Sequence, residues 1–219
     1  MKGKIAIAGG GSEKDSRIID ETFSSWIEPN QKILYLPVAL RGIRPFDQCL
    51  KWMKSTFLSF NITHIEMWTD LSDHTGDELS EFSSVYIGGG NTYSLLAEIL
   101  KSRFDVHLSQ FLTRGGNIYG GSAGAAILGK DIRTIRHIDR NEIGLAETQG
   151  LNFLEGFSVW VHYQNPADDR LIYEFQVKHD QSVLAVSERA GIVLENSELK
   201  SVGYDTAFLF DVHGKQQLK

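Results

Sequence analysis

A single cysteine, Cys49, is all the thiol in a chain of 219 residues. One cysteine cannot close an internal disulfide, so the expected setting is a reducing compartment and the expected staple is the core itself. No stretch approaches the roughly 18 consecutive apolar residues of a membrane span. The first apolar run is about four residues, short of the ~7 that form a signal-peptide core. A cytoplasmic protein is therefore expected. Basic residues are in the minority, 22 Lys and Arg against 28 Asp and Glu, for a net charge of −6. No basic stripe invites nucleic acid. Proline is scarce, at four, and no low-complexity linker or internal repeat divides the chain. One domain over residues 1–219 is expected, with 42% hydrophobic residues to fill its core.

What is present is alternation. Strand-like runs at 4–8, 32–37, 62–68, 84–87 and 117–119 are separated by helix-like segments at about 15–26, 46–60, 92–100 and 106–113, with another from about 123. Within 46–60, Phe46, Leu50, Met53 and Phe57 recur at helical spacing. This order predicts an α/β fold, a mostly parallel central sheet flanked by helices. The last third is less regular. Strand-like runs at 157–163, 182–187, 191–195 and 207–211 are expected to complete the sheet, with an antiparallel hairpin turning at 188–191.

The strand at 117–119 runs into Gly120-Gly121-Ser122-Ala123-Gly124. Glycine, any residue, serine, any residue, glycine is the nucleophile-elbow pattern, in which a strand reverses sharply into a helix with the serine at its apex. Small neighbours are needed so that nothing collides with the serine backbone. The serine also sits at a helix N-terminus, where free N–H groups favour developing negative charge. A second turn, Gly88-Gly89-Gly90-Asn91, likewise ends a strand and precedes a helix. In an open parallel sheet both turns share the carboxyl edge, where ligands bind. Asn91 also suits the role of helix N-cap.

A nucleophilic serine needs a base, usually histidine, and an acid to orient it. Of the seven histidines, His162 ends the apolar run Phe157-Ser158-Val159-Trp160-Val161. That places it at a strand's carboxyl end, on the same edge as Ser122. His64 falls near the start of a strand, on the opposite edge. His107 falls in a helix, and His74, His179 and His213 fall in polar, loop-like stretches. For the acid, Glu188 sits at another strand end, and Asp131 and Asp139 compete with it. The chain order Ser122, His162, Glu188 differs from the α/β-hydrolase order, in which the acid precedes the histidine.

These residues carry a resemblance. Tyr-Ile-Gly-Gly-Gly-Asn-Thr at 86–92, Gly-Gly-Ser-Ala-Gly-Ala at 120–125, Ile132-Arg133-Thr134, Gly156-Phe157 and the His162-Tyr163 strand end resemble the peptidase E (aspartyl dipeptidase) and cyanophycinase family of serine peptidases. The likeness covers about residues 1–210. It implies a fold like that of class I glutamine amidotransferases, with serine in place of their cysteine. It implies Ser122 as nucleophile, His162 as base, Glu188 as acid, and the N–H groups of Gly90 and Ala123 as the oxyanion hole. Asn91, Arg133 and Tyr163 are candidate substrate-binding residues, and Arg170 is a further candidate for holding a carboxylate. The stretch Ile135-Arg136-His137-Ile138-Asp139 departs from the family's pattern, so a preference for N-terminal aspartate is not carried over.

No metal and no organic cofactor are expected, and His137-x-Asp139 is too sparse for a metal site. The expected partner is a small peptide substrate, together with at most a second copy of the chain in a homodimer. Three rival readings remain. A non-catalytic peptide- or metabolite-binding protein on the same fold is one. A nucleotide-binding protein using Gly9-Gly10-Gly11 lacks the third glycine of the Rossmann pattern, since Lys14 stands there. A glutamine amidotransferase would need a cysteine at the elbow, and Cys49 is far from it in sequence.

Overall fold

The computed structural model describes residues 2–219. Five strands, β1 (Ile5–Ala8), β2 (Ile33–Leu36), β3 (Ile65–Met67), β4 (Ser84–Ile87) and β5 (Asn117–Gly121), lie parallel in the spatial order β3-β2-β4-β5-β1. Every residue of β1, β2 and β4 is buried, as expected of parallel strands covered on both faces. Alternate side chains divide between two cores. Ile5, Ile7, Leu34, Leu36, Val85 and Ile87 face α4 (Thr92–Lys101), α5 (Phe104–Arg114) and α6 (Ala123–Leu128). Ala6, Ala8, Tyr35, Tyr86 and Tyr119 face α1 (Arg17–Ser24) and α2 (Phe46–Leu58), which supply Ile19, Phe23, Met53 and Phe57. Each such fully buried large side chain contributes roughly 1.5–3 kcal/mol. A one-turn helix, α3 (Gly76–Leu79), opens on a Thr75–Glu78 capping box.

The last third forms a second sheet as well as the edge of the first. β6 (Ser158–Trp160) and β7 (Val183–Ala185) pair in parallel, with α7 (Asp169–His179) between them. β8 (Ala190–Glu195) leaves that sheet and pairs antiparallel with β1, and β9 (Glu198–Gly203) forms the outer edge of the central sheet. β10 (Phe208–Asp211) returns to pair antiparallel with β7, and β11 (Gly214–Gln217) follows it. The complete orders are β3-β2-β4-β5-β1-β8-β9 and β11-β10-β7-β6.

This corrects the expected hairpin at 188–191. Residues 187–189 instead cross from one sheet to the other. The hairpin lies one strand later, between β8 and β9, where Asn196 (φ 52°) and Ser197 (φ 63°) make the two positive-φ positions of a tight turn. His162 also leaves a strand of the second sheet, not of the sheet that carries Ser122. His179 closes α7 instead of lying in a loop. Among the described residues no helix is long and apolar enough to cross a membrane.

Candidate active site

Ser122 joins β5 to α6 with φ 50° and ψ −109°. A non-glycine residue in so rare a conformation costs of order 1–3 kcal/mol, so its surroundings must hold it. The Ser122 N–H donates to the Ala8 carbonyl at 3.0 Å, and the Ser122 carbonyl accepts from the Ala126 N–H at 3.0 Å. The turn can form only because α6 nearly touches β4: a Cβ on Gly124 would lie 2.2 Å from the Ile87 carbonyl oxygen.

His162 arrives from the other sheet, also at positive φ (53°). Its N–H donates to the Gly9 carbonyl at 2.9 Å, tying the end of β6 to the loop after β1. The imidazole lies across Gly10, where a Cβ would come 2.1 Å from its Cε1. Gly10 is therefore required twice, by its φ of 126° and by the ring above it. Ser122 Oγ stands 2.9 Å from His162 Nε2, and His162 Nδ1 stands 3.0 Å from Glu188 Oε1. Glu188 is presented by the crossover between β7 and β8.

The competing acids are occupied elsewhere. Asp131 is buried and accepts hydrogen bonds from the Arg133 backbone N–H (2.8 Å), Nε and Nη2. Asp139 Oδ2 accepts from the Thr92 N–H at 2.8 Å, at the start of α4. Asn91 caps the same helix, its Oδ1 accepting from the Ser94 N–H, while its Nδ2 donates to the Arg140 carbonyl. These bonds fasten the Gly88–Gly90 turn in place. A Cβ on Gly89 would stand 3.2 Å from Ser122 Cβ and 3.7 Å from Oγ, so this turn passes directly beside the serine. Ala123, first residue of α6, follows the serine directly in the chain.

Ser122 and His162 open into a cleft of about 240 Å³ whose other walls include Ser16, Trp52, Tyr86 and Tyr119. Arg133 and Tyr163 are not among its lining residues. Arg133 is committed to Asp131, and the Tyr163 hydroxyl donates to Asp169 at the start of α7. Asn91 borders a separate groove on the far side of Gly90. Arg170 lies on the exposed side of α7, 3.7 Å from Glu174. Beyond Trp52 and Tyr86 the cleft adjoins a larger chamber of about 400 Å³ with Arg44 and Glu13 in its wall.

Sequence reasoning did not find the floor of this cleft. Asp20 is only 2% exposed, although it stands on a helix face shared with Ile19 and Phe23. Tyr119 Oη donates to its Oδ1 at 2.7 Å, and Ser16 Oγ donates to its Oδ2 at 2.8 Å. Burial pushes the Asp20 carboxyl up to about 6, with these two hydrogen bonds acting in the opposite direction. The Tyr86 and Tyr119 rings stack with centroids 4.4 Å apart, and burial holds both phenols well above their ordinary value. A polar residue at 16, one turn before Asp20 on the packed face of α1, was the available signal. Among the described residues no group of three or more His, Cys, Asp or Glu side chains is placed to hold a metal ion.

The model of peptidase family S51 matches residues 5–202. Peptidase E of Shewanella denitrificans is 26% identical over 211 residues, covering 84% of this chain and 87% of that protein. A Drosophila melanogaster protein named as a probable alpha-aspartyl dipeptidase is 24% identical over 194 residues, covering 83% and 77% respectively. The crystal structure of a peptidase from an acI-B1 Actinobacterium shares the fold, with a TM-score of 0.74 over 100% of this chain and 95% of that one, at 19% identity.

Proposed function

Because the chain belongs to peptidase family S51 and is a peptidase, we propose that it is a serine-type dipeptidase in which Ser122 is the nucleophile, His162 the base and Glu188 the orienting acid. The observation that carries this reading is the unbroken chain of contacts from Ser122 Oγ to His162 Nε2 and from His162 Nδ1 to Glu188 Oε1. Glu188 accepts from Nδ1–H, which leaves Nε2 unprotonated and facing the serine. Ser122 Oγ attacks the scissile carbonyl as Nε2 takes its proton, forming the tetrahedral intermediate. The N–H groups of Gly90 and Ala123 stabilise its oxyanion, each worth roughly 3 kcal/mol in comparable sites. The imidazolium then protonates the leaving amine. Water, deprotonated by the same histidine, releases the acyl group and restores the serine.

The small cleft favours short substrates, and the dipeptidase named among the relatives fits that size. A cytoplasmic setting, in which Cys49 stays reduced, belongs to the same reading. The test is hydrolysis of a dipeptide panel by wild type and Ser122→Ala. Cleavage by wild type and a loss of at least ~10³-fold in the variant are expected. Equal rates in the two would remove Ser122 from the mechanism, and absence of both cleavage and labelling by a fluorophosphonate would favour a non-catalytic binding protein.

A further inference from the structure

The floor of the cleft has a fixed hydrogen-bonding polarity. A hydroxyl owns one proton and an ionised carboxylate only accepts. Ser16 Oγ and Tyr119 Oη, at 2.8 and 2.7 Å from the two oxygens of Asp20, both spend their proton on that carboxylate, the other acceptor near Ser16 Oγ, the Ser12 carbonyl, standing farther off at 3.3 Å. What these two oxygens can offer any further partner is lone pairs. Behind them sits a negative charge that burial has stripped of water. Of the groups around it, Ser16, Arg17 and Glu13 belong to α1 and its approach, Tyr119 to β5 and Tyr86 to β4. The one cation among them, Arg17, acts on Asp20 less than either hydroxyl does, and its guanidinium lies 5.3 Å from the centre of the Phe60 ring. A buried charge with acceptor-only neighbours, left without a close counter-charge, suits a ligand that brings N–H donors and positive charge.

Building on the reading of Ser122 as nucleophile, we propose that Asp20, acting through Ser16 and Tyr119, is the anchor for the free α-ammonium group of the substrate's N-terminal residue. The α-ammonium nitrogen is two covalent bonds from the carbonyl carbon that Ser122 attacks, roughly 2.5 Å. Both ends of that short span fit a cleft of about 240 Å³ that Ser16, Tyr119 and Ser122 line together. A lysine side-chain ammonium, several bonds further from the carbonyl, would not. The anchor makes the enzyme cleave after the first residue of a free peptide and reject N-acylated ones. Its charge is present above about pH 6 and is lost below, where Asp20 takes up a proton. KM for free-amine substrates should therefore rise as the pH falls through that value.

The test compares an aminoacyl p-nitroanilide with its N-acetylated counterpart in wild type, Asp20→Asn, Ser16→Ala and Tyr119→Phe, and follows fluorophosphonate labelling of Ser122 in each. Wild type is expected to prefer the free amine. Asp20→Asn should lose roughly 10- to 100-fold of that preference, the range for removing a charged hydrogen-bonding partner. The loss should lie in KM, with kcat and labelling falling far less. The proposal is overturned if Asp20→Asn lowers labelling and free-amine hydrolysis in parallel, or if the preference for the free amine survives it. Thermal melts check folding, and if Asp20→Asn does not fold, the partly exposed Ser16→Ala carries the same two outcomes. Ser122→Ala separates the two readings. Activity retained there overturns the nucleophile, while the substrate preference of Asp20→Asn still decides the anchor.

Discussion

Glu188 approaches His162 from the solvent side, its side chain 55% exposed. Water can share its work, so Glu188→Gln should lower kcat by about 10²-fold, less than the ~10⁴ seen where such an acid is buried. Steady-state kinetics with an unchanged KM would check this. Asp20 obeys the opposite logic, because it is buried. Its folded-state value of about 6 stands above the ordinary 3.8, so the native state binds this proton more tightly than the unfolded chain does. The stabilisation is fully present below about pH 4 and is lost as the pH rises to about 6. Two units correspond to ~3 kcal/mol. Urea unfolding at pH 4 and pH 7 should show Asp20→Asn gaining on wild type by about that amount at the higher pH. An equal difference at both values would contradict it. If Asp20 is the anchor, function is retained there at the expense of stability.

At the scale of elements, the readable ones were those with a strong local period. β4 (Ser84–Ile87) carries the apolar run Val85–Ile87 and ends with it at the glycine turn, and α2 follows Phe46, Leu50, Met53 and Phe57. α7 escaped notice because only Ile172 and Phe175 are buried on it, which leaves too little apolar face to show a period. β9 (Glu-Leu-Lys-Ser-Val-Gly) is polar because it is an edge strand, and its partner β8 carries the burial for both. The turn between them places Asn196 and Ser197 at positive φ. Ser197→Gly removes the steric cost of that conformation and should stabilise the hairpin by about 0.5–1 kcal/mol, read as a higher urea midpoint with an unchanged slope. Gly10→Ala should do the reverse at the site, pushing His162 off Ser122 and reducing kcat by at least ~10²-fold, since misplacement of about 1 Å costs that much.

Across the whole molecule, the three proposed catalytic side chains are divided between two sheets. Ser122 belongs to the central one. His162 leaves the second, and Glu188 lies on the chain that passes between them. The packing of the second sheet therefore sets the geometry of the first sheet's serine. Phe210 is fully buried there, beside Trp160, Tyr163 and Val183. Phe210→Ala should cost about 3–5 kcal/mol, and activity should fall on warming in step with fluorophosphonate labelling and ahead of the loss of helical signal. Simultaneous loss of all three would mean that the two sheets unfold as one unit.

The sequence alone was enough for the alternating core, the sharp strand-to-helix turn at Ser122, the glycine turn at 88–90 and the position of His162 at the end of an apolar run, because each depends on residues adjacent in the chain: an apolar period, a run of small residues, a polar side chain ending a strand. It also named Glu188, but left Asp131 and Asp139 open. Only the tertiary structure occupied those two, one with Arg133 and the other with the N-terminus of α4. It likewise split the last third into two sheets, turned Arg133 and Tyr163 away from the cleft, and put Asp20 beneath it. Strand pairing and the desolvation of a carboxylate are set by residues about a hundred positions apart, as with Asp20 and Tyr119, and no local pattern records which of them will meet.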